Sequence, residues 1–250
     1  MVKTSILEYS VLIKGSECIM KLIWLGHASW RIEIADQILL IDPWLGGNPS
    51  FKGHDRAAAL EGATAMLITD AHGDHASEAE SIARELAIPI ACIAELGDIW
   101  EQAGLKTIGF NKGGTITLGA VKVTMVNAIH SSTMDFKGSM MPAGSAAGFM
   151  IAGEGHVIYV SGDTDVTADM EIWNDLHHPD IGILNCGGHF TMDMVRAAYA
   201  ARKFFDFKMV VPSHYRTFGL LAQNADVLRD GLPGVRVVEP EVMVAVEVTT

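Results

Sequence analysis

The sequence predicts an α/β fold in which two sheets pack face to face and helices cover their outer surfaces. Two blocks of mixed strand and helix, each opening on strands, favour this architecture. A hydrophobic fraction of 49% and a charged fraction of 19% fit a folded chain with a substantial core. Neither a fixed-period repeat nor a low-complexity linker divides the 250 residues, so we expect one domain over residues 20–250.

The first block opens with short alternating or apolar segments, which predict strands at 21–26, 29–35 and 37–42. A turn-rich loop comes next, at residues 43–49. Strands and helices then alternate. The predicted strands are 65–69, 89–94 and 106–110, and the predicted helices are 77–86 and 96–103.

The second block returns to strands within 115–127 and 147–161. Residues 135–148 are rich in Gly, Ser, Met and Ala, which predicts a mobile loop. Helices are then expected at 168–176, 191–204 and 220–230, and strands at 180–185, 208–213, 235–239 and 242–248.

Composition narrows the classes of partner. The net charge is −12 and no basic stripe is visible, which disfavours a nucleic-acid partner. No apolar run is long enough to span a bilayer, so we expect no membrane partner. Cys18, Cys92 and Cys186 form no CxxC pair, which indicates reduced, buried thiols in a cytoplasmic protein. We therefore expect a small-molecule substrate. Whether the chain forms a homo-oligomer is left open by the composition.

Residues 1–19 differ in pattern from the rest of the chain, and two interpretations of them stay open. Met20 leads directly into a predicted strand, so we expect it to be the native start and residues 1–19 to be a mis-assigned extension. The alternative is that these residues form an additional edge strand.

Four metal-ligating side chains fall in the hexapeptide directly after the apolar run 65–69: Asp70, His72, Asp74 and His75. On an extended chain, side chains 70, 72 and 74 point to the same side, and a turn at Gly73 brings His75 towards them. Imidazole and carboxylate ligands favour zinc, iron, nickel or manganese over calcium. The hexapeptide therefore predicts a transition-metal site.

Three further ligand-type residues each come directly after a predicted strand: His130, Asp163 and His214. Taken singly, each is better explained as a capping or turn-forming residue. Four strand ends that all carry ligand types favour one shared site at the edge of the sheets.

The order Asp-x-His-x-Asp-His, then His130, Asp163 and His214, resembles the metallo-β-lactamase superfamily pattern His-x-His-x-Asp-His followed by His, Asp and His. Residues 24–28, 41–49, 187–192 and 214–215 resemble uncharacterised metal-dependent hydrolases near the ascorbate-6-phosphate lactonase branch. The resemblance covers essentially all of residues 20–250, and it implies a four-layer αββα sandwich.

The resemblance also implies roles for individual residues. His72 and His130 would hold a first metal ion together with Asp70, and Asp163 would bridge to a second ion. The remaining ligands of the second ion would be Asp74, His75 and His214.

Three residues outside the ligand set also match the family. Asp42 would orient the ligand loop from outside the coordination sphere. His27 and His189 would face substrate, and the alternative for both is that they hydrogen-bond backbone.

This site implies hydrolysis. Two divalent ions (zinc, or manganese, iron or nickel) lower the pKa of a bridging water enough to give hydroxide near neutral pH. The hydroxide would attack an ester, lactone or phosphodiester bond of a small substrate. Asp74 is the expected proton carrier, with His189 or Tyr215 as alternatives. A non-catalytic metal- or ligand-binding domain and a di-iron redox site are the competing functions.

Asp70 is the departure from the family pattern, which has histidine at this position. If the carboxylate ligates, it adds negative charge and tilts metal preference towards manganese or iron. Alternatively, Asp70 points away and the first metal ion is weakly bound or missing.

Overall fold

Two seven-stranded sheets share one apolar core in the computed structural model, which describes residues 19–136 and 138–249. The predicted α/β sandwich is confirmed. The two interpretations of the N-terminal extension concern residues 1–19, of which residues 1–18 lie outside the described residues.

The strands, in chain order, are β1 (Met20–Trp24), β2 (Trp30–Ile34), β3 (Gln37–Ile41), β4 (Ala65–Leu67), β5 (Ile90–Ile93), β6 (Thr107–Phe110), β7 (Thr115–Leu118), β8 (Val121–Asn127), β9 (Thr133–Phe136), β10 (Ser139–Pro142), β11 (Ala147–Gly153), β12 (His156–Val160), β13 (Ile181–Asn185), β14 (Met209–Ser213), β15 (Arg236–Val237) and β16 (Ala245–Val248). The helices are α1 (Arg56–Leu60), α2 (Gly73–Ala76), α3 (Ala79–Leu86), α4 (Ala94–Gln102), α5 (Asp169–His177), α6 (Met194–Phe204) and α7 (Asp226–Asp230). A 3-10 helix covers Pro49–Phe51. None of these helices is long and apolar enough to cross a bilayer.

The first sheet has the order β16-β1-β2-β3-β4-β5-β6, and the second has the order β15-β14-β13-β12-β11-β8-β7. β9 and β10 form a separate hairpin. Because β1 and β3 are each antiparallel to β2, and β4 is parallel to β3, all three run in one direction. By the same reasoning β8, β12, β13 and β14 run together in the second sheet.

The two sheets are joined at the carboxyl ends of these co-directional strands. The Trp30 indole N–H donates to Ser213 Oγ at 2.9 Å, and the His214 N–H donates to the His27 carbonyl at 2.9 Å. The Ala147 N–H donates to the Thr69 carbonyl, also at 2.9 Å. Residues just beyond these strands are therefore brought to one edge of the sandwich.

Residues 135–148 are not one loop, which corrects the sequence prediction. β9 and β10 pair in antiparallel register, with Met141 opposite Met134, and β11 begins at Ala147. The Gly- and Met-rich composition hides the strands because it shows no clean alternation of apolar and polar residues.

The predicted helix 220–230 is also shorter than expected, since α7 begins only at Asp226. The Ala222 N–H donates to the Gly187 carbonyl instead of a carbonyl four residues earlier. Asn224 Oδ1 accepts from the Asp226 N–H at 3.2 Å, so the first N–H of α7 bonds to a side chain and not to a backbone carbonyl. The predicted helix 77–86 begins at Ala79, and α1 was not predicted.

Candidate metal centre

Seven of the eleven predicted site residues mark one edge of the sandwich, because each of the seven is the first of them after one of the co-directional strands. The set, in chain order, is His27 after β1, Asp42 after β3, Asp70 after β4, His130 after β8, Asp163 after β12, His189 after β13 and His214 after β14. Shared strand direction thus assembles residues that are up to 187 positions apart in the sequence (214 − 27).

Four of these residues have left-handed backbone conformations. Positive φ values are found at His27 (54°), Asp42 (44°), His189 (59°) and His214 (54°). Such values are uncommon for residues other than glycine, and they cluster at functional sites where the surrounding structure holds them. Six other described non-glycine residues also have positive φ, so this conformation occurs at the site edge without being confined to it.

The ligand hexapeptide is not extended throughout, contrary to the sequence prediction. The N–H groups of His75 and Ala76 donate to the His72 carbonyl at 3.0 and 2.8 Å, which starts α2 at Gly73. This helical turn separates Asp74 and His75 from the preceding ligands. The hexapeptide therefore contributes side chains to two separate groups of candidate ligands.

The first ligand group consists of Asp70, His72 and His130, whose ligand atoms could hold one metal ion. Asp70 Oδ2 lies 3.0 Å from His72 Nδ1 and 3.9 Å from His130 Nε2. The Asp70 side chain is fully buried and points into this group. The hydrogen bond between His72 and Asp70 raises the pKa of His72, although the partial burial of His72 opposes this shift.

The second ligand group consists of Asp74, His75 and His214, and it lies beside Asp163. His75 Nε2 and His214 Nε2 lie 3.4 and 3.3 Å from Asp163 Oδ2. His214 Nε2 also lies 3.5 Å from Asp74 Oδ2, and His75 Nε2 lies 3.9 Å from it. His75, Asp163 and His214 could hold one metal ion between them.

These residues fit a divalent transition metal. His75 Nε2 and His214 Nε2 are buried and have no hydrogen-bond partner among the described residues, although Asp163 Oδ2 lies nearby. Buried polar atoms without partners are rare in proteins, since each loses its hydration without compensation. Imidazole nitrogens that converge on carboxylate oxygens form the ligand set that zinc and its neighbours prefer.

Asp163 is held in place from two sides. Asn185 Nδ2 donates to Asp163 Oδ1 at 2.6 Å, which leaves Oδ2 facing the histidines. A Cβ at Gly162, whose φ is 59°, would collide with the Ala147 carbonyl oxygen, so glycine is required directly before Asp163. Burial raises the pKa of Asp163, but the charges of His214 and His75 outweigh it and hold that pKa well below its usual range.

Asp42 touches the ligand loop as its predicted orienting role requires. Asp42 Oδ2 lies 2.8 Å from His75 Nδ1 and accepts from the Thr69 hydroxyl at 2.5 Å, and Oδ1 accepts from the Thr69 N–H at 2.8 Å. A carboxylate on Nδ1 directs the other ring nitrogen of His75 towards the ligand group.

His27 was predicted to face substrate or to hydrogen-bond backbone, and its ring instead contacts two side chains. It is completely buried, with Nε2 2.9 Å from Asp74 Oδ2 and Nδ1 2.9 Å from Thr217 Oγ1. Burial lowers the pKa of His27 to about 4, and the hydrogen bond to Asp74 offsets part of this shift. The contacts place His27 behind Asp74, where it orients that carboxylate.

The remaining two predicted residues differ in accessibility. His189 is exposed and lines a cavity of about 230 Å³ together with Ile129, the neighbour of His130. Tyr215 is completely buried, its ring stacks on Trp24 at 5.3 Å, and burial raises its pKa to about 12. No hydrogen bond of the described residues joins the Tyr215 hydroxyl to the ligands. Tyr215 is therefore a core residue, while His189 stays at the rim of the site.

Thr69, Asn185 and Thr217 contact the site but were not predicted from the sequence. Asn185 ends β13, so the rule that selected the other strand-end residues could have found it. Thr217 has no comparable signal, because only the folded chain brings it to His27.

Comparison with known proteins agrees with this geometry. The sequence model of the family described as "Beta-lactamase superfamily domain" matches residues 37–215. The chain belongs to the β-lactamase superfamily. A UPF0173 metal-dependent hydrolase of Dinoroseobacter shibae is 62% identical over 229 residues, which are 91% of this chain and all of that protein. One of Paracoccus denitrificans is 60% identical over 225 residues, which are 90% and 98% of the two chains.

A solved structure, Igni18, a metallo hydrolase from Ignicoccus hospitalis, superposes with a TM-score of 0.79 at 30% identity and covers 93% of this chain and 99% of its own. Together with the His and Asp clusters, these relatives identify a metal-dependent hydrolase of the superfamily. The superfamily resemblance and the enzyme class predicted from the sequence are confirmed.

Proposed function

We propose that this chain hydrolyses an ester, lactone or phosphodiester bond of a small substrate at a centre of two divalent metal ions. The observation that carries the proposal is the position of Asp163. Its Oδ2 atom lies 3.3 Å from His214 Nε2, 3.4 Å from His75 Nε2 and 3.6 Å from His130 Nε2. One carboxylate oxygen therefore faces both ligand groups, as a bridging ligand must.

Each ion would have its own ligands besides Asp163. Asp70, His72 and His130 would hold the first, and Asp74, His75 and His214 would hold the second. With Asp70 in place of the superfamily's histidine, each ion would have one carboxylate and two imidazoles besides Asp163, a ligand mixture that suits zinc, manganese or iron. Divalent ions held by these residues would supply a water of lowered pKa and would polarise a substrate oxygen.

Asp74 is the carboxylate best placed to move a proton. Its side chain is 32% exposed, whereas those of Asp70 and Asp163 are 0% and 3% exposed. His27 Nε2 fixes the orientation of Asp74 from behind. Burial raises the pKa of Asp74, but its hydrogen bonds with His214 and His27 hold that pKa well below its usual range, so the carboxylate is ionised.

A cytoplasmic location belongs to the same proposal. Cys92 and Cys186 are buried and unpaired, which is the state expected of thiols in a reducing compartment. Fractionation of native cells tests the location directly, and recovery of the protein outside the cytoplasm would contradict it.

The reaction is tested on purified protein stripped of metal with a chelator and then reloaded with zinc or manganese. The substrates are p-nitrophenyl acetate, γ-butyrolactone and bis(p-nitrophenyl) phosphate, one for each bond type. We expect stripping to abolish turnover of at least one of them and reloading to restore it. Turnover that survives complete stripping, or no turnover of any of the three by the reloaded protein, would contradict the proposal.

A further inference from the structure

A second cavity, of about 410 Å³, opens beside His72 between α2, α4 and the β9–β10 hairpin. This volume falls in the range of sites that bind small molecules. Six of its twelve lining residues have apolar side chains: Ala71, Ala76, Leu96, Trp100, Met134 and Met140.

The floor of the cavity is rigid and its mouth is adaptable. Leu96 and Trp100 project from α4 and are 0% and 4% exposed, so they are fixed in the core. Met140, on β10, is 67% exposed although it is large and apolar. Methionine has a flexible, polarisable side chain that adjusts to ligands of different shape. An apolar ligand in the cavity would cover the Met140 side chain and remove it from water.

The cavity adjoins the candidate metal centre directly. His72 lines it with a side chain that is 25% exposed, while His72 Nδ1 lies 3.0 Å from Asp70 Oδ2. The hairpin is tied to the ligand loop at its base. The Ala71 N–H donates to Ser132 Oγ at 3.1 Å, and the Ala143 N–H donates to the Ser132 carbonyl at 3.2 Å. A group in the cavity is thus held at a fixed position beside the first ligand group.

Charge at the rim selects against anions. The charged side chains among the described lining residues are two carboxylates, Glu80 and Asp135. Glu80 pairs with Arg84 at 2.9 Å, and Asp135 Oδ1 accepts from the Gly138 N–H at 2.7 Å. The carboxylates disfavour an anion in the cavity, and the apolar side chains of the lining favour an apolar group.

We propose that this cavity binds a neutral apolar group of the substrate, an unbranched aliphatic chain or a single aromatic ring, while the bond to be cleaved lies at the metal centre. The inference rests on the proposed function, because it takes the reaction to occur next to His72. It narrows the substrate class to neutral molecules with an apolar arm on the His72 side. Met140 is the residue expected to determine specificity.

Binding can be tested without the reaction, by NMR of isotope-labelled methionine methyl groups in the full chain. The probes are hexanamide and, as the short-chain control, acetamide. We expect hexanamide to shift the Met134 and Met140 signals saturably and acetamide to leave them in place. The signal of Met20, which is buried in β1, serves as the internal reference. Unchanged Met134 and Met140 signals at saturating hexanamide would overturn the proposal.

A pair of matched variants locates the effect. Met140→Glu places a charge at the cavity mouth, and Leu176→Glu makes the same kind of change at a residue of α5 that is 69% exposed. We expect Met140→Glu to weaken hexanamide binding at least about fourfold, the effect of losing one buried methylene, with Leu176→Glu equal to the wild-type chain. Equal binding by all three proteins, or equal losses in both variants, would contradict the assigned location.

Turnover gives the second measurement. Across p-nitrophenyl acetate, butyrate and hexanoate, kcat/KM should rise by about fourfold per added methylene, which corresponds to about 0.8 kcal/mol of burial. In Met140→Glu this dependence should flatten. Values of kcat/KM that do not rise with chain length would overturn the cavity assignment. Absence of chelator-sensitive turnover would contradict the proposed function instead, and the methyl shifts would still decide the cavity.

Discussion

The Asp70 carboxylate reaches His72 at 3.0 Å, between Oδ2 and Nδ1, and it does so from a fully buried position. The His72 N–H also donates to Asp70 Oδ1 at 2.6 Å, so both carboxylate oxygens are directed towards the same residue. A carboxylate that faces a candidate ligand in this way is placed to share a metal ion with it. The departure from the superfamily pattern therefore lies inside the candidate centre.

Restoring the superfamily residue should change metal preference. Asp70→His removes one negative charge and adds an imidazole, so we expect zinc affinity relative to manganese to rise on the order of tenfold. Competition between the two ions, followed by elemental analysis of the protein, measures the ratio. An unchanged ratio would show that Asp70 does not ligate.

Asp163→Asn should have the largest effect, because its carboxylate faces both ligand groups. We expect loss of both ions and a fall in kcat/KM of at least about a hundredfold, the scale of removing one essential electrostatic contact. Metal content per chain and turnover are the two readouts. Asp175→Asn, an exposed position on α5, is the control and should match the wild-type chain. Two ions retained in Asp163→Asn would refute the bridging role.

The effect of Asp42 should appear in affinity rather than in ligand number. Asp42→Asn keeps the shape of the side chain but weakens its contact with His75 Nδ1, now 2.8 Å long. Loss of such an orienting contact lowers metal affinity about 10- to 100-fold. Titration against a chromophoric chelator measures the change, with Asp36→Asn at a surface turn as the control. Equal affinities in the two variants would argue against an orienting role.

The described cysteines should resist alkylation. Burial raises the pKa of both Cys92 and Cys186 to about 12. At pH 8 the thiolate fraction of each is then about one in ten thousand, and it grows only as the pH rises towards 12. In a Cys18→Ser variant, mass spectrometry after iodoacetamide treatment at pH 8 should find no label on native protein and labels at both residues in urea. Rapid labelling of the native protein would contradict this.

Local pattern and strand order predicted most of the site. The ligands come after strands whose apolar runs are readable in the sequence, and shared direction brings those strand ends together. His130 and His214 could be selected in this way although 84 positions separate them (214 − 130). Side-chain directions could not be predicted, because they depend on contacts between distant residues. The buried His27 ring is oriented by Asp74 and Thr217, and Tyr215 is held in the core by stacking on Trp24.

The β9–β10 hairpin could not be predicted from the alternation of apolar and polar residues. Met134 and Met141 pair across β9 and β10, yet the segment contains glycines and successive methionines that blur any alternation. Its structure depends on long-range contacts such as the one between Ala71 and Ser132. The cavity beside His72 could not be predicted for the same reason.

Anomalous scattering from crystals soaked in zinc or manganese tests the central claim most directly. We expect two peaks, one among Asp70, His72 and His130 and one among Asp74, His75 and His214, with the Asp163 carboxylate between them. A single peak, or none, in metal-replete crystals would contradict a two-metal centre.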